Sequence, residues 1–90
     1  MFKNLEQLVK TIRERKNSSP SKSYTNKLLT DKNLSVSKVK EEIRELIESV
    51  DKNSNKIHEA ADVLYHLMVF LEGNGIKIED VMDELKKRQK

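Results

Sequence analysis

The chain has 90 residues, of which 37% are charged and 36% hydrophobic, with no cysteine and a formal net charge of +3. This length fits one domain, residues 1–90, and the lack of cysteine excludes disulfides, thiolate metal ligands and a cysteine nucleophile. No apolar run approaches the roughly 18 residues needed to span a bilayer, and the first residues lack the apolar stretch of a secretory signal, so we predict a cytoplasmic protein that does not contact membranes.

The charge is divided unevenly between the two parts of the chain. Residues 1–40 hold 10 Lys and Arg against 3 Asp and Glu, whereas residues 41–90 hold 8 against 12. A basic part and an acidic part are compatible with a nucleic-acid-binding arm. They are equally compatible with a site that holds phosphates on one side and cations on the other, and charge alone does not choose between these two interpretations.

Helices are predicted throughout, because the chain contains only two Gly and one Pro and shows little of the alternation typical of strands. Apolar residues at helical spacing predict a first helix over about residues 2–15. The small polar residues and the Pro within 17–22 predict a loop. Ser23 is the expected N-cap of a short helix over 24–30, and residues 31–33 are expected to form another break.

Two longer helices are predicted next. Ser35 is the expected N-cap of the first, over 35–51, and the second, over 56–72, ends at Gly73-Asn74-Gly75, where glycine permits a left-handed C-cap. A last helix carries apolar residues at Ile78, Val81, Met82 and Leu85. We therefore predict an all-α helical bundle built around the two long antiparallel helices.

Two pairs of acidic residues on the long helices carry the most chemical information. Glu42 and Glu45 are three residues apart on the first helix, and Glu59 and Asp62 are three residues apart on the second. A spacing of three leaves the members of each pair on one face of a helix, about 60° apart. Because a short turn makes the helices antiparallel neighbours, both pairs can face one another.

The second long helix gives its acids an unusual setting. From residue 57 to residue 71, 11 of the 15 residues are apolar. The four exceptions lie within an arc of roughly 100° and are His58, Glu59, Asp62 and His66. Carboxylates that converge among apolar side chains repel one another and lose hydration, so they raise their pKa values or bind a cation. Hard cations prefer oxygen ligands, and Mg²⁺ also bridges phosphate oxygens, so we predict a Mg²⁺ site bound through oxygen only and a phosphate substrate.

Plainer interpretations apply to the other acidic residues. Exposed acids are common on highly charged helices, and for Glu41, Glu48 and Glu72 a solvated position is the preferred expectation. An isolated pair of acids three residues apart is weak support for a metal site. The two pairs on consecutive helices, one of them in an apolar setting, are the stronger signal.

The histidines and the aromatic residue of the same helix are also open to two interpretations. His66 lies one turn after Asp62 and can orient it as a hydrogen-bond partner, although such a histidine is more often a satisfied core residue. His58 is expected at the surface. Tyr65 is expected to pack rather than to take part in chemistry.

A basic segment precedes the short helix. Arg and Lys flank the loop at positions 13, 15, 16 and 22, and Ser23, Tyr24 and Thr25 follow it. Arg and Lys bind phosphate oxygens, and hydroxyl groups add neutral hydrogen bonds. Taken alone, the segment also fits a solvated basic loop.

These segments together resemble the phosphoribosyl-ATP pyrophosphohydrolase family. The similarity covers about residues 5–88 and is carried by Ile12-Arg-Glu-Arg-Lys16, Ser23-Tyr24-Thr25-x-x-Leu28, Lys38-Val39-x-Glu41-Glu42-x-x-Glu45 and Glu59-Ala-Ala-Asp-Val-Leu-Tyr-His-Leu67. The acidic pairs alone are shared with the wider MazG-like, all-α nucleotide pyrophosphohydrolases. The chain departs from the family pattern at Lys40, Ile43 and Lys77, where the family usually has Gly, Ala and a small capping residue.

The resemblance implies an activity and a set of site residues. It implies Mg²⁺-dependent hydrolysis of phosphoribosyl-ATP to phosphoribosyl-AMP and pyrophosphate, in histidine biosynthesis, by a homodimer with a four-helix core. The implied Mg²⁺ ligands are Glu42, Glu45, Glu59 and Asp62. The implied catalytic carboxylates are Glu41, Glu42 and Glu45, with Glu41 as a further ligand or as the base that orients water. The implied substrate contacts are Arg15, Lys16, Ser23, Tyr24 and Thr25.

Two other functions remain open from the sequence. The first is a MazG-like enzyme that hydrolyses non-standard nucleoside triphosphates, which would share the metal site and differ in the pocket for base and ribose. The second is a non-catalytic basic helical dimer that binds nucleic acid. Such a binder would not need four inward-facing acids, and its affinity would fall steeply with salt, so we predict no nucleic-acid partner.

Overall fold

The computed structural model describes residues 1–89, which form five α-helices and no strand. The helices are α1 (Lys3–Arg15), α2 (Tyr24–Thr30), α3 (Lys32–Lys52), α4 (Lys56–Gly73) and α5 (Ile78–Arg88). The predicted all-α class is therefore confirmed for this range. None of these helices is both long and apolar enough to cross a membrane.

The N-caps of α2 and α3 show one correct prediction and one wrong one. Ser23 caps α2, because its Oγ accepts a hydrogen bond of 3.1 Å from the backbone N–H of Asn26. The predicted cap of α3 at Ser35 is wrong, because the carboxylate of Asp31 accepts from the N–H of Leu34 at 3.1 Å and the helix starts at Lys32. Asp31 ends α2 and caps α3 at once, so the break between the two helices shrinks to one residue and Ser35 becomes a buried residue inside α3.

The remaining helix ends follow the expected turn chemistry. Asn53 and Asn55 both adopt positive φ, at 52° and 57°, which places the turn after α3 between the two long helices, as predicted. Asn tolerates this left-handed conformation better than most residues. Gly75, with φ of 72°, follows the end of α4, as the glycine signal predicted.

A small core lies where α1, α2 and α4 meet. Its buried apolar residues are Val9, Ile12, Leu28, Met68 and Val69. Helix α4 contributes to this core on one side and packs against each of the other four helices. It is therefore the element through which the core and the acidic residues are held in one rigid arrangement.

Ion pairs tie α1 to α4 and α5. The guanidinium of Arg13 donates to Glu72 at 3.1 Å and to both carboxylate oxygens of Glu79 at 2.9 and 2.7 Å, and Lys16 donates to Glu72 at 3.1 Å. The expected solvated position of Glu72 is wrong, since its side chain is only 12% exposed. Burial alone would raise the pKa of Glu72, but the hydrogen bonds from Arg13 and Lys16 lower it. The hydrogen bonds from Arg13 lower the pKa of Glu79 to about 2.

An apolar surface remains exposed on α3 and α4. It consists of Ile43, Ile47, Val50, Ile57 and Leu64, whose exposed fractions run from 43% to 88%. We call these five residues the α3–α4 apolar surface. Its presence agrees with the sequence pattern of α4, which is apolar on more of its circumference than the other helices of one chain cover.

Candidate metal and phosphate site

The acidic pairs converge where α3 and α4 face one another. Oxygen atoms of Glu42, Glu45 and Glu59 all lie within 4.8 Å of one another. Glu59 also belongs to a second group, in which its carboxylate, that of Asp62 and a ring nitrogen of His58 satisfy the same distance limit. The structure therefore brings all four carboxylates predicted to bind metal into two groups that share Glu59.

Two carboxylate oxygens at the centre of these groups are buried without a donor. Glu42 is only 7% exposed, and within the described residues neither its Oε2 nor that of Glu59 receives a hydrogen bond. Burial raises the pKa of Glu42, and the nearby Glu45 raises it further. Burial also raises the pKa of Glu59, together with the charges of Glu45 and Asp62. A buried carboxylate oxygen without a donor is costly, and a bound cation would remove that cost.

His58 adds a nitrogen atom to the site. Its Nε2 lies 3.3 Å from Oδ2 of Asp62, and the imidazole side chain is 73% exposed. The expectation of a surface position is confirmed, but its proximity to Asp62 went unpredicted. The signal was present in the sequence, because residues four apart on a helix are neighbours on one face.

Glu41 lies on α3 directly before the cluster but outside both groups. Its carboxylate pairs with Lys38 at 3.2 Å and its side chain is 37% exposed. The pair raises the pKa of Lys38. A carboxylate of this kind stays accessible to solvent beside the buried acids, so the expected solvated position of Glu41 agrees with the structure, and a catalytic role for it stays a prediction.

His66 is a buried residue that connects α4 to α2 through hydrogen bonds. It is 7% exposed, its Nδ1 lies 2.9 Å from the backbone carbonyl oxygen of Asp62, and its Nε2 lies 3.1 Å from the hydroxyl of Tyr24. Because a carbonyl oxygen can only accept, Nδ1 carries a proton, and in the neutral ring Nε2 then accepts from Tyr24. His66 thus contacts the backbone of Asp62 and not its carboxylate, and an orienting role for it stays a prediction.

The polar residues at the start of α2 each have a partner within the chain. Besides the cap made by Ser23, the hydroxyl of Thr25 hydrogen-bonds that of Tyr65. The ring of Tyr24 stacks on that of Tyr65 with centroids 6.4 Å apart, while burial raises the pKa of Tyr24. Tyr65 packs, as expected, and also hydrogen-bonds. Whether Ser23, Tyr24 and Thr25 also contact a substrate stays a prediction.

The basic residues before the loop are used in different ways. Arg13 and Lys16 are engaged by the carboxylates of α4 and α5. Arg15 is exposed, and among residues 1–89 its guanidinium forms no ion pair. Of the two basic residues predicted to contact the substrate, Arg15 is therefore the one that keeps its charge available for a ligand.

Comparison with known proteins gives a consistent result. The sequence profile of the family described as Phosphoribosyl-ATP pyrophosphohydrolase matches residues 5–89. The "Phosphoribosyl-ATP pyrophosphatase" of Neisseria meningitidis is 44% identical over 90 residues, which covers 94% of this chain and 82% of the relative, and that of Dechloromonas aromatica is 39% identical with the same coverage. The "Histidine biosynthesis bifunctional protein hisIE, chloroplastic" of Arabidopsis thaliana is 48% identical over 69 residues, and the alignment spans only 25% of its length. No solved structure matches the chain.

The buried carboxylate of Glu42 generates a prediction about stability. Its pKa is raised in the folded chain, so its ionised form opposes folding, and this cost grows as the pH rises from the ordinary value of 4.5 through the raised one. The neutral isostere Glu42→Gln should therefore raise the melting temperature at pH 7 in the presence of a chelator. The gain should amount to several degrees, since about 1 kcal/mol shifts a domain of this size by about 4–8 °C.

Thermal unfolding followed by circular dichroism, with and without Mg²⁺, measures this effect. Glu48→Gln, an exposed acid on the same helix, is the matched control and should change the melting temperature little. Added Mg²⁺ should stabilise the wild-type chain more than Glu42→Gln, because a cation that binds only the folded state raises its stability. A lower melting temperature for Glu42→Gln in chelator would contradict the assignment of Glu42 as a buried, uncompensated charge.

Proposed function

This chain belongs to the phosphoribosyl-ATP pyrophosphohydrolase family, and we propose that it hydrolyses phosphoribosyl-ATP to phosphoribosyl-AMP and pyrophosphate, a step of histidine biosynthesis. One structural observation carries the proposal. Four carboxylates converge between α3 and α4, and two of their oxygens are buried without a donor. A chain gains nothing in stability from such an arrangement, so a cation that bridges these carboxylates to phosphate oxygens is the natural explanation.

The residues present fit Mg²⁺. Glu42, Glu45 and Glu59 would hold it, with Asp62 beside them, and all offer the hard oxygen ligands that Mg²⁺ prefers. A bound Mg²⁺ would neutralise the triphosphate and stabilise the charge that develops on the departing pyrophosphate. Because Glu42 is buried, little water would reach the metal from the side of this carboxylate. His66, through the backbone of Asp62, would keep the second acidic residue of α4 in place.

Glu41 is the proposed base. Hydrolysis requires a water oxygen to form a bond to the α-phosphorus while the bond to the bridging oxygen of the β-phosphate breaks, and the water must lose a proton. The carboxylate of Glu41 belongs to neither metal group, and although Lys38 pairs with one of its oxygens its side chain stays 37% exposed, so it can accept that proton from water. The electron pair of the broken bond leaves with pyrophosphate.

The basic loop would bind the other end of the substrate. Phosphoribosyl-ATP carries a triphosphate at one end and a 5′-phosphate at the other. Lys16 is held at Glu72, ten residues after Asp62 on α4, which is about 15 Å along the helix axis. The acidic cluster and Lys16 therefore lie toward opposite ends of α4. This separation supports a role for Arg15 in binding the 5′-phosphate while the cluster serves the triphosphate.

We also propose a homodimer in which α3 and α4 of two chains form a four-helix core. The support is the α3–α4 apolar surface, which includes Ile57 at 88% exposure and Ile47 at 59%. Apolar residues exposed together on neighbouring helices mark a surface for association. A two-fold arrangement would let the same surface on each chain cover the other.

The first prediction concerns the reaction. The wild-type chain should release pyrophosphate from phosphoribosyl-ATP much faster than from a panel of standard and non-standard nucleoside triphosphates. Glu59→Gln should lower kcat by about 10²-fold or more, as expected when one group that stabilises charge in the transition state is lost. Product analysis by chromatography measures both, and circular dichroism checks that the variant is folded.

Glu48→Gln is the control for this experiment and should retain the wild-type rate, because Glu48 lies outside both acidic groups. Full activity of folded Glu59→Gln, or of the wild-type chain in excess chelator, would overturn the metal-dependent mechanism. Faster hydrolysis of a non-standard nucleoside triphosphate than of phosphoribosyl-ATP would instead support the MazG-like alternative.

A second prediction concerns substrate choice. Arg15→Ala should raise KM for phosphoribosyl-ATP by about tenfold or more, the size of a lost charge-assisted hydrogen bond to phosphate. Any hydrolysis of simple triphosphates should change much less, because they lack the 5′-phosphate of the phosphoribosyl unit. Lys10→Ala, which removes an exposed charge from the same helix, is the control. Equal losses on both kinds of substrate would place Arg15 at the shared triphosphate and contradict this assignment.

The third prediction concerns assembly. Light scattering should give twice the chain mass of 10.5 kDa for the wild type. Ile47→Lys should shift the mass toward that of one chain, because it places a charge within the α3–α4 apolar surface. Ile76→Lys, at an apolar residue exposed to 42% away from that surface, should leave the mass unchanged. A wild-type monomer that hydrolyses phosphoribosyl-ATP at micromolar concentration would rule out the dimer as a requirement.

A further inference from the structure

Asn26 is a buried polar residue with no part in the chemistry described so far. It lies on α2 and is only 2% exposed. Its Nδ2 donates a hydrogen bond of 2.8 Å to the backbone carbonyl oxygen of Arg15, the last residue of α1. Its Oδ1 is buried, and among the described residues nothing donates to it. The amide nitrogen of Asn26 therefore has a hydrogen-bond partner, the carbonyl oxygen of Arg15, whereas the amide oxygen has none among the described residues.

This arrangement is a poor way to obtain stability. Leaving a buried acceptor without a donor costs at least as much free energy as one hydrogen bond typically contributes, so the bond to Arg15 brings little or no net stability. An apolar residue of similar size at this buried position would avoid that cost. Rotating the amide by 180° would not help, because it would set an oxygen against the carbonyl of Arg15. The presence of a buried amide at this position is therefore better explained by its hydrogen bond to the carbonyl of Arg15 than by a gain in stability.

The carbonyl of Arg15 is the point where the basic loop leaves α1. It accepts a second hydrogen bond of 3.0 Å from the N–H of Ser18, within the loop itself. The other backbone bonds of the loop close on nearby residues, such as those from Lys22 and Ser23 to the carbonyl of Ser19. Asn26 thus ties the start of the loop to the helix that follows it, so that both ends of residues 16–23 are held against α2.

We propose that Asn26 is a positioning residue, which sets the place of Arg15 and of the loop over residues 16–23 for binding of the substrate's 5′-phosphate. The inference rests on the proposed function, in which Arg15 meets that phosphate. Asn26 acts through the backbone carbonyl of Arg15 and does not itself touch the substrate. Its buried, half-satisfied amide is retained for the geometry of the loop at some expense to stability.

The variant Asn26→Leu separates position from stability. It removes the donor and the unpaired acceptor together and keeps a similar size, so the chain should be as stable as the wild type or more stable. KM for phosphoribosyl-ATP should nevertheless rise by about threefold to tenfold, the effect of one hydrogen bond, with kcat within about twofold. A purely structural role for Asn26 gives the opposite pattern, in which melting temperature falls and KM of the folded protein stays unchanged.

A measurement without substrate tests the loop directly. Trypsin should cut the Asn26→Leu chain faster after Lys16 and Lys22, while the rate after Arg44, in the middle of α3, should not increase. Leu28→Val is the matched control, since it alters a buried apolar residue on the same helix and leaves the bond to Arg15 in place. It should change global stability without changing KM or the preference for loop cleavage. If Asn26→Leu fails to fold, Asn26→Ala replaces it with the same expectations for KM and for loop cleavage, although the smaller side chain leaves a cavity that lowers stability.

The outcomes distinguish this inference from the proposed function. Wild-type KM in folded Asn26→Leu, or unchanged cleavage of the loop, overturns the positioning role while the activity of the wild-type chain stands. A wild-type chain that does not hydrolyse phosphoribosyl-ATP overturns the proposed function and with it the substrate role of Asn26. In that case, faster loop cleavage in the variant would still show that the amide anchors the loop.

Discussion

The constraint on which this structure depends is the burial of carboxylates that lack a donor. Glu42 and Glu59 face one another across α3 and α4, and burial together with neighbouring acids raises the pKa values of both. In their ionised forms these two carboxylates repel one another across the helix pair. The packing of the helices is stabilised elsewhere in the molecule, by the apolar core and by the ion pairs of Arg13. The chain accepts a local loss of stability where a phosphate-bridging cation would offset it.

Helix α4 contributes both to the apolar core and to the acidic site, because different faces of the helix carry the two sets of residues. Met68 and Val69 enter the core, the acids of its first half face α3, and Ile57 and Leu64 remain exposed. His66 joins the acidic side to α2 through the hydroxyl of Tyr24. This explains a helix that is apolar over most of its circumference yet carries acids in its interior-facing stripe. The exposed apolar residues of this helix are the observation on which the proposed dimer rests.

The basic segment shows how charge is divided between structure and binding. Arg13 and Lys16 neutralise a nearly buried carboxylate, whereas Arg15 points its charge at solvent from a backbone held by Asn26. Neighbours in sequence thus have different uses because successive residues of a helix point about 100° apart. The family profile matches residues 5–89, and the proposed function would use these features together, because a substrate with phosphates at both ends would need a cation site and a basic site.

The sequence by itself determined the helices, the Ser23 cap and the convergence of the acidic pairs, because helical periodicity, capping chemistry and a short turn are local properties. Tertiary structure decided the rest. The cap of α3 went to Asp31 and not Ser35, because the junction with α2 left one residue for both helix ends. Glu72 is largely buried with Arg13 of α1 and Lys16 of the following loop against it, and among residues 1–89 the side chain of Asn26 has its one partner across that loop. The partners of Glu72 and Asn26 lie far from them in sequence, and Asp31 and Ser35 are both residue types that cap helices well. Only the packing of the helices decides which of these contacts form.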